Sequence, residues 1–167
     1  MRLRDIISTG VESEVAEPVQ ALATVIRKQH GSGVLAVLAY GSCLRGTPPT
    51  DSLIDYYVLT DTATAISSNP ISQLLCKLVP PNVYFAEHVL DGTAYRAKYA
   101  ALTLETFKRK VEPATANPYF WARFSQPVAM VYCRDASVQE DVLMALETAV
   151  RTMFSKIAPL AKEGAAV

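Results

Sequence analysis

The fold is decided by the sequence VLAVLAYGS at residues 34–42 and the sequence LIDYYVLT at residues 53–60. Residues 34–40 form a continuous apolar run with β-branched members, and a short run of this kind is typical of a buried strand. The second segment has the same character apart from one acidic residue near its start. Between them, Gly41-Ser42 turns the chain and Pro48-Pro49 marks a loop, because proline fixes φ and removes a backbone donor. The pattern predicts two buried strands joined by a loop.

The rest of the chain alternates between helical and strand patterns. Asp91-Gly92-Thr93 favours a tight turn, which predicts a hairpin between the strands on either side of it. The predicted helices cover residues 14–30, 71–78, 104–111, 118–124 and 137–157, and the further predicted strands cover residues 82–90, 95–104 and 128–133. Strands joined by both a hairpin and helical crossovers predict an α/β (α+β) fold. It would have a mixed β-sheet with helices packed mainly on one face.

The composition fits a single folded domain over residues 1–167, with residues 1–13 and 159–167 expected to be peripheral or flexible. Half of the residues are hydrophobic, and sixteen basic side chains balance sixteen acidic ones. A protein that binds duplex nucleic acid normally carries a basic surplus that displaces counterions from phosphates. The balanced charge therefore argues against nucleic acid as a partner.

The cysteines and the N-terminus bear on the cellular compartment. Cys43, Cys76 and Cys133 are odd in number and show no metal-ligand spacing, so they indicate neither a disulfide framework nor a zinc site. Reduced thiols favour a cytoplasmic location, and no apolar run approaches the roughly 20 residues that a membrane-spanning helix needs. Residues 1–7 mix arginines with apolar side chains, a pattern that allows peripheral contact at the inner face of a membrane.

Gly41, Ser42 and Asp55 are the residues whose pattern carries chemistry. A glycine after a strand lets the backbone approach a triphosphate closely, and the serine hydroxyl with nearby N–H groups can bind phosphate oxygens. Strand alternation places Leu53, Asp55 and Tyr57 on one face of the sheet. A carboxylate there can hold Mg²⁺, which neutralises phosphate charge during phosphoryl transfer. The layout is typical of a nucleotidyltransferase site that binds Mg²⁺ and a nucleoside triphosphate, and it predicts a single nucleotidyltransferase-like domain with a nucleotidyltransferase-like mixed sheet.

Short blocks from Val34 to Ala158 carry a closer resemblance. The blocks are Tyr40-Gly41-Ser42, Leu53-Ile54-Asp55-Tyr56, Asn82-Val83-Tyr84-Phe85, Lys98-Tyr99, Ala122-Arg123-Phe124 and Gln126-Pro127-Val128. In their order the chain resembles the mitochondrial-type phosphatidate cytidylyltransferases, the translocator assembly and maintenance family. Other nucleotidyltransferases have acids at the positions of both Leu53 and Asp55, and the family that this chain resembles likewise lacks the first. The enzymes of that family are longer than this chain.

The resemblance implies a role for each matching residue. Asp55 would bind the metal, and Gly41 and Ser42 would hold the triphosphate. Lys98 would neutralise phosphate charge as a catalytic residue, although a surface lysine on an edge strand is the alternative. Arg123 would clamp a phosphate in a bidentate geometry that lysine cannot copy. The residues alone leave open that Arg123 only stacks on the aromatic side chains around it.

Two further acids are candidates for completing the metal site. Glu87 lies among apolar strand neighbours, which is unusual for a glutamate, and Asp51 lies in the loop before the second strand. His88 follows Glu87, but strand alternation points the two side chains to opposite faces.

The expected function is the Mg²⁺-dependent transfer of CMP from CTP to phosphatidic acid, giving CDP-diacylglycerol and pyrophosphate. This expectation follows from the resemblance. Two alternatives stay open at this point. One is a nucleotidyltransferase with a different acceptor, and the other is a non-catalytic domain that binds a nucleotide or takes part in assembly.

Overall fold

The sheet has five strands in the order β3-β4-β2-β1-β5 within the residues that the computed structural model describes, which are 2–50, 52–66 and 82–164. These strands are β1 (Val34–Tyr40), β2 (Ile54–Thr60), β3 (Asn82–Leu90), β4 (Thr93–Thr103) and β5 (Val128–Cys133). β1 runs antiparallel to β2 and β5, whereas β2 runs parallel to β4 and β3 runs antiparallel to β4. The mixed sheet expected from the sequence is confirmed.

Helices lie on both faces of this sheet, but mainly on one. The α-helices of the described residues are α1 (Leu3–Val11), α2 (Glu17–His30), α3 (Leu104–Lys110), α4 (Tyr119–Phe124) and α5 (Ala136–Gly164). Side chains from α1, α3, α4 and α5 share one core with alternate strand residues, whereas α2 packs into the core on the opposite face. None of these helices combines the length and the apolar character needed to cross a bilayer.

Three helices differ from the sequence prediction. Helix α2 begins at Glu17 rather than at residue 14, because Pro18 lacks an amide donor and fits only in the first turn. Helix α1 was not predicted at all, since nine residues are too few for a stable isolated helix and it depends on packing against α5. Helix α5 continues through Pro159. The helix predicted at residues 71–78 lies outside the described residues.

The hairpin between β3 and β4 has the turn that the sequence indicated. Leu90 pairs with Thr93, so Asp91 and Gly92 form a two-residue loop. Both have positive φ values, 49° and 77°, as this kind of hairpin turn requires. The turn sets the register that pairs Glu87 with Arg96.

Strand register and one aromatic residue place the functional residues. Tyr40 at the end of β1 lies opposite Asp55 on β2, and Asp55 lies opposite Lys98 on β4. Above them, the ring of Phe124 packs edge-on against Tyr57 at 4.7 Å and against Phe107 at 4.6 Å between centroids. These contacts hold α4 over the end of β1, on the face to which Asp55 points.

Candidate active site

A polar cavity of about 470 Å³ lies between the turn after β1 and helix α4. Its walls include four of the residues singled out from the sequence: Gly41, Ser42, Asp55 and Arg123. Gly41 and Ser42 follow β1, Asp55 comes from β2 and Arg123 comes from α4. Residues that are up to 82 positions apart in the sequence thus surround one cavity large enough for a small ligand, since ligand pockets are typically about 300–1,000 Å³.

Gly41 lies directly against the carboxylate of Asp55. Its backbone has φ 89° and ψ −146°, a conformation that residues other than glycine rarely adopt. A Cβ atom at this position would lie 3.2 Å from Oδ2 of Asp55. Glycine is therefore needed both for the turn and for the space beside the carboxylate.

The carboxyl group of Asp55 is half-buried, and burial raises its pKa above the usual range for aspartate. The positive charges of Arg123 and Lys98 act in the opposite direction without cancelling the effect of burial. Burial removes water that would otherwise solvate the charged form. A cation bound at Asp55 would supply the missing stabilisation.

Because the folded-state pKa of Asp55 is raised, we expect Asp55→Asn to raise the melting temperature of the ligand-free protein near pH 7. Stability from this group is fully present below the pKa of the unfolded chain. It is lost as the pH rises through the folded-state pKa, so the ionised carboxylate destabilises the fold at neutral pH. The neutral amide removes that cost. Thermal melts of both proteins from pH 3 to pH 8 should show the difference shrinking in acid. A variant that is less stable at pH 7 would contradict this prediction.

The turn that carries Ser42 is fixed to the rest of the cavity by side-chain contacts. Residues 42–45 form a 3₁₀ turn that ends at Gly46, where φ is 87°. The hydroxyl oxygens of Ser42 and Ser52 lie 3.2 Å apart. Nη1 of Arg45 donates a hydrogen bond to Oε1 of Gln126 at 3.1 Å, which joins the turn to the segment after α4. Arg45 and Gln126 line the cavity, and the sequence carried no signal that the two would meet.

Arg123 stacks between two tyrosine rings at the wall of the cavity. Its guanidinium carbon lies 5.1 Å from the ring centre of Tyr40 and 4.9 Å from that of Tyr119. Its Nε is buried and has no hydrogen-bond partner among the described residues. Burial raises the pKa of Tyr40 well above the ordinary range, so the hydroxyl beside Arg123 is neutral at physiological pH. Arg123 therefore keeps its full positive charge available to an anion in the cavity.

Lys98 and Glu87 are not among the described residues that line the cavity. Lys98 is exposed on β4 next to Asp55 in the register, and its side chain projects from the same face of the sheet. Glu87 pairs with Arg96 at 2.8 Å and lies two strands away from Asp55, a separation on the order of 10 Å. The structure thus does not bring Glu87 and Asp55 together. Asp51 lies outside the described residues.

The donor set suits a magnesium ion that arrives with a nucleotide. Within residues 2–50, 52–66 and 82–164, no three His, Cys, Asp or Glu side chains are grouped so that they could hold a metal. Mg²⁺ is commonly bound through one or two carboxylates, with substrate phosphates and water as the other ligands. Asp55 fits the role of the carboxylate, and the hydroxyl of Ser42 lines the same cavity.

No protein-family model matches the chain, and no curated protein matches it. The function must therefore be inferred from the site itself.

Proposed function

We propose that the protein is a Mg²⁺-dependent nucleotidyltransferase whose active site is the cavity around Asp55. The observation that carries this proposal is the contact between Gly41 and the Asp55 carboxylate in a cavity that also contains Ser42, Arg45 and Arg123. One carboxylate for a metal ion and the guanidinium of Arg123 for phosphate oxygens suit a metal-bound triphosphate, and Arg45 leaves a second positive charge for another phosphate. This reading also accounts for the placement of a half-buried acid next to a glycine.

Each of these residues would have its own role in binding the metal and the nucleotide. Asp55 would hold the Mg²⁺, and Gly41 would let the backbone of the turn come close to the phosphates. The hydroxyl of Ser42 would donate a hydrogen bond to a phosphate oxygen, and Arg123 would stabilise the negative charge that develops as the α-phosphorus reacts. When bound, Mg²⁺ would neutralise charge on the phosphate oxygens.

The acceptor that we propose is phosphatidic acid, with CTP as the nucleotide, as the resemblance of the sequence blocks suggests. An oxygen of the acceptor phosphate would attack the α-phosphorus of CTP. The bond from that phosphorus to the β-phosphate oxygen would break, releasing pyrophosphate and forming CDP-diacylglycerol. The nucleophile is already anionic, so positioning and charge neutralisation suffice and no strong general base is needed. We place this reaction in the cytoplasm, at the inner face of a membrane.

A binding domain without turnover is the second candidate. It is favoured by the presence of a single suitable carboxylate, Asp55, among the described residues of the cavity. A nucleotidyltransferase that uses an acceptor other than a lipid is the third, and it shares the same nucleotide site.

The proposal can be tested with purified protein, CTP labelled at the α-phosphate and phosphatidic acid in detergent micelles. With Mg²⁺ we expect labelled lipid together with an equal amount of unlabelled pyrophosphate. Neither product should form after the metal is removed with EDTA. Binding of CTP is measured in parallel by calorimetry without lipid. Mg²⁺-dependent CTP binding without lipid product would favour the second or third candidate. Absence of Mg²⁺-dependent nucleotide binding would overturn the nucleotidyltransferase proposal.

A further inference from the structure

A second cavity, of about 440 Å³, lies beside the candidate active site and is almost entirely apolar. Helix α1 forms one wall, α5 forms another, and residues 124–128 form the floor. Ile6, Ile7, Leu146 and Val150 are among the side chains that line it, and none of its lining residues in the described part of the chain is charged. Water gains few hydrogen bonds in such a space, so the cavity suits an apolar ligand.

Polar contacts join the α1 segment to α5. Arg4 forms an ion pair with Glu140 and lies 4.0 Å from Glu147, both on α5. Nε2 of Gln139 donates a hydrogen bond to Glu12 at 3.4 Å. These contacts hold α1 in place as one wall of the cavity, and Ile6, which lines the cavity, has half of its surface exposed.

The two cavities meet at Gln126. This residue lines both of them, and its side-chain oxygen accepts the hydrogen bond from Arg45. A cationic guanidinium thus lies where a polar space adjoins an apolar one. A ligand with a phosphate at Arg45 and a hydrocarbon chain extending past Gln126 would satisfy both environments.

We propose that the apolar cavity under α1 is a binding subsite for an alkyl chain, and that Arg45 binds the phosphate to which the chain is attached. The role of this subsite in catalysis rests on the proposed function, since the amphiphile would then be the acceptor. The triphosphate would occupy the Gly41–Asp55 end of the polar cavity, and the acceptor phosphate would approach from the Arg45 end. Binding of the chain does not depend on nucleotide transfer.

The affinity of alkyl phosphates should rise with chain length. Burying one methylene group contributes enough to raise affinity about fourfold at most. Calorimetric titration of the full chain with butyl, hexyl, octyl and decyl phosphate, below their micellar concentrations and without nucleotide, measures this dependence. We expect a two- to fourfold gain for each added methylene. Affinity that is independent of chain length would overturn the proposal.

Filling the cavity should remove that dependence. Val150→Phe adds bulk from α5, and Gly10→Leu adds it from α1, where a Cβ atom would meet only the Val128 oxygen at 3.9 Å. Met144→Phe on α5 is the matched control, because Met144 is 42% exposed and does not line the cavity. Both filled variants should bind all four compounds alike, while the control behaves as wild type. Gly10→Leu replaces Val150→Phe if the latter does not fold. A filled variant that folds and retains the chain-length dependence would exclude this cavity as the subsite.

Arg45 is tested by a separate variant that removes its positive charge. Arg45→Gln should weaken all four alkyl phosphates by about tenfold without altering the gain per methylene, because it removes one charge-assisted contact. Binding of octan-1-ol, which has the chain without the phosphate, should be unchanged. An equal loss of affinity for octan-1-ol, or no loss of affinity for the alkyl phosphates, would show that Arg45 does not bind the phosphate. CTP binding is measured in the same proteins, so a failed alkyl subsite and a failed nucleotide site are told apart.

Discussion

Asp55→Asn is expected to reduce transfer from CTP by at least about a hundredfold, the scale on which an enzyme loses rate when one group that stabilises transition-state charge is removed. The amide keeps the shape of the carboxyl group but carries no negative charge for Mg²⁺. Mg²⁺-dependent CTP binding should weaken as well, which calorimetry measures together with the turnover assay. Burial of the ionised carboxylate disfavours the folded protein, so we expect the variant to fold.

The control for this variant is Asp91→Asn. It makes the same chemical change at the β3–β4 turn, where φ is 49° and asparagine is well tolerated. We expect Asp91→Asn to retain CTP binding and turnover. If Asp55→Asn also retained both, the metal site would have to be placed elsewhere and the proposed function would lose its main support.

Gly41→Ala is expected to abolish CTP binding, with a loss of about a hundredfold or more. Two effects combine in this variant. The backbone at φ 89° and ψ −146° becomes strained by about 1–3 kcal/mol. The new methyl group also falls 3.2 Å from Oδ2 of Asp55 and must displace the carboxylate or the turn. Calorimetric titration with Mg²⁺ and CTP measures the loss, and thermal unfolding measures the strain.

The chain supplies a control that separates the two effects. Gly31 has φ 70° and ψ −152°, close to the backbone of Gly41, but a Cβ atom there has no neighbour within 4 Å. Gly31→Ala should therefore destabilise the fold to a similar extent and still bind CTP. If the two variants lost CTP binding equally, strain alone would explain the result. The contact between Gly41 and Asp55 would then have no special role.

The cluster of Gly41, Ser42 and Asp55 could be predicted because its signals are local. A buried run followed by Gly-Ser, and one acid on a β-branched and aromatic strand, depend only on the strand period and on glycine chemistry. Strand alternation also gave the correct face for Tyr57, which packs on the side covered by α4. The meeting of Gly41 and Asp55 also requires that β1 and β2, which follow one another in the chain, pair side by side, as they do.

What depends on contacts between distant segments could not be predicted. Arg45 and Gln126 are 81 positions apart, and nothing in either segment indicates the other. Glu87 did carry a real signal, a charge on an apolar strand, but the register of the hairpin pairs it with Arg96. Helix α1 did carry a local signal, because Leu3, Ile6, Ile7 and Val11 recur at helical spacing. The cavity beside it forms only where α1 packs against α5 and β5, and that packing has no local signal.

The central position of β1 and β2 has a consequence for how a ligand can enter. Both strands are hydrogen-bonded on each side, and every residue of β1 is buried. Local opening of such strands costs nearly as much as unfolding the whole domain. Strand β2, which carries Asp55, is therefore expected to stay rigid while a ligand binds. A ligand is expected to enter past the turn at residues 42–45, none of which is buried, because Phe120 and Phe124 anchor α4 in the core.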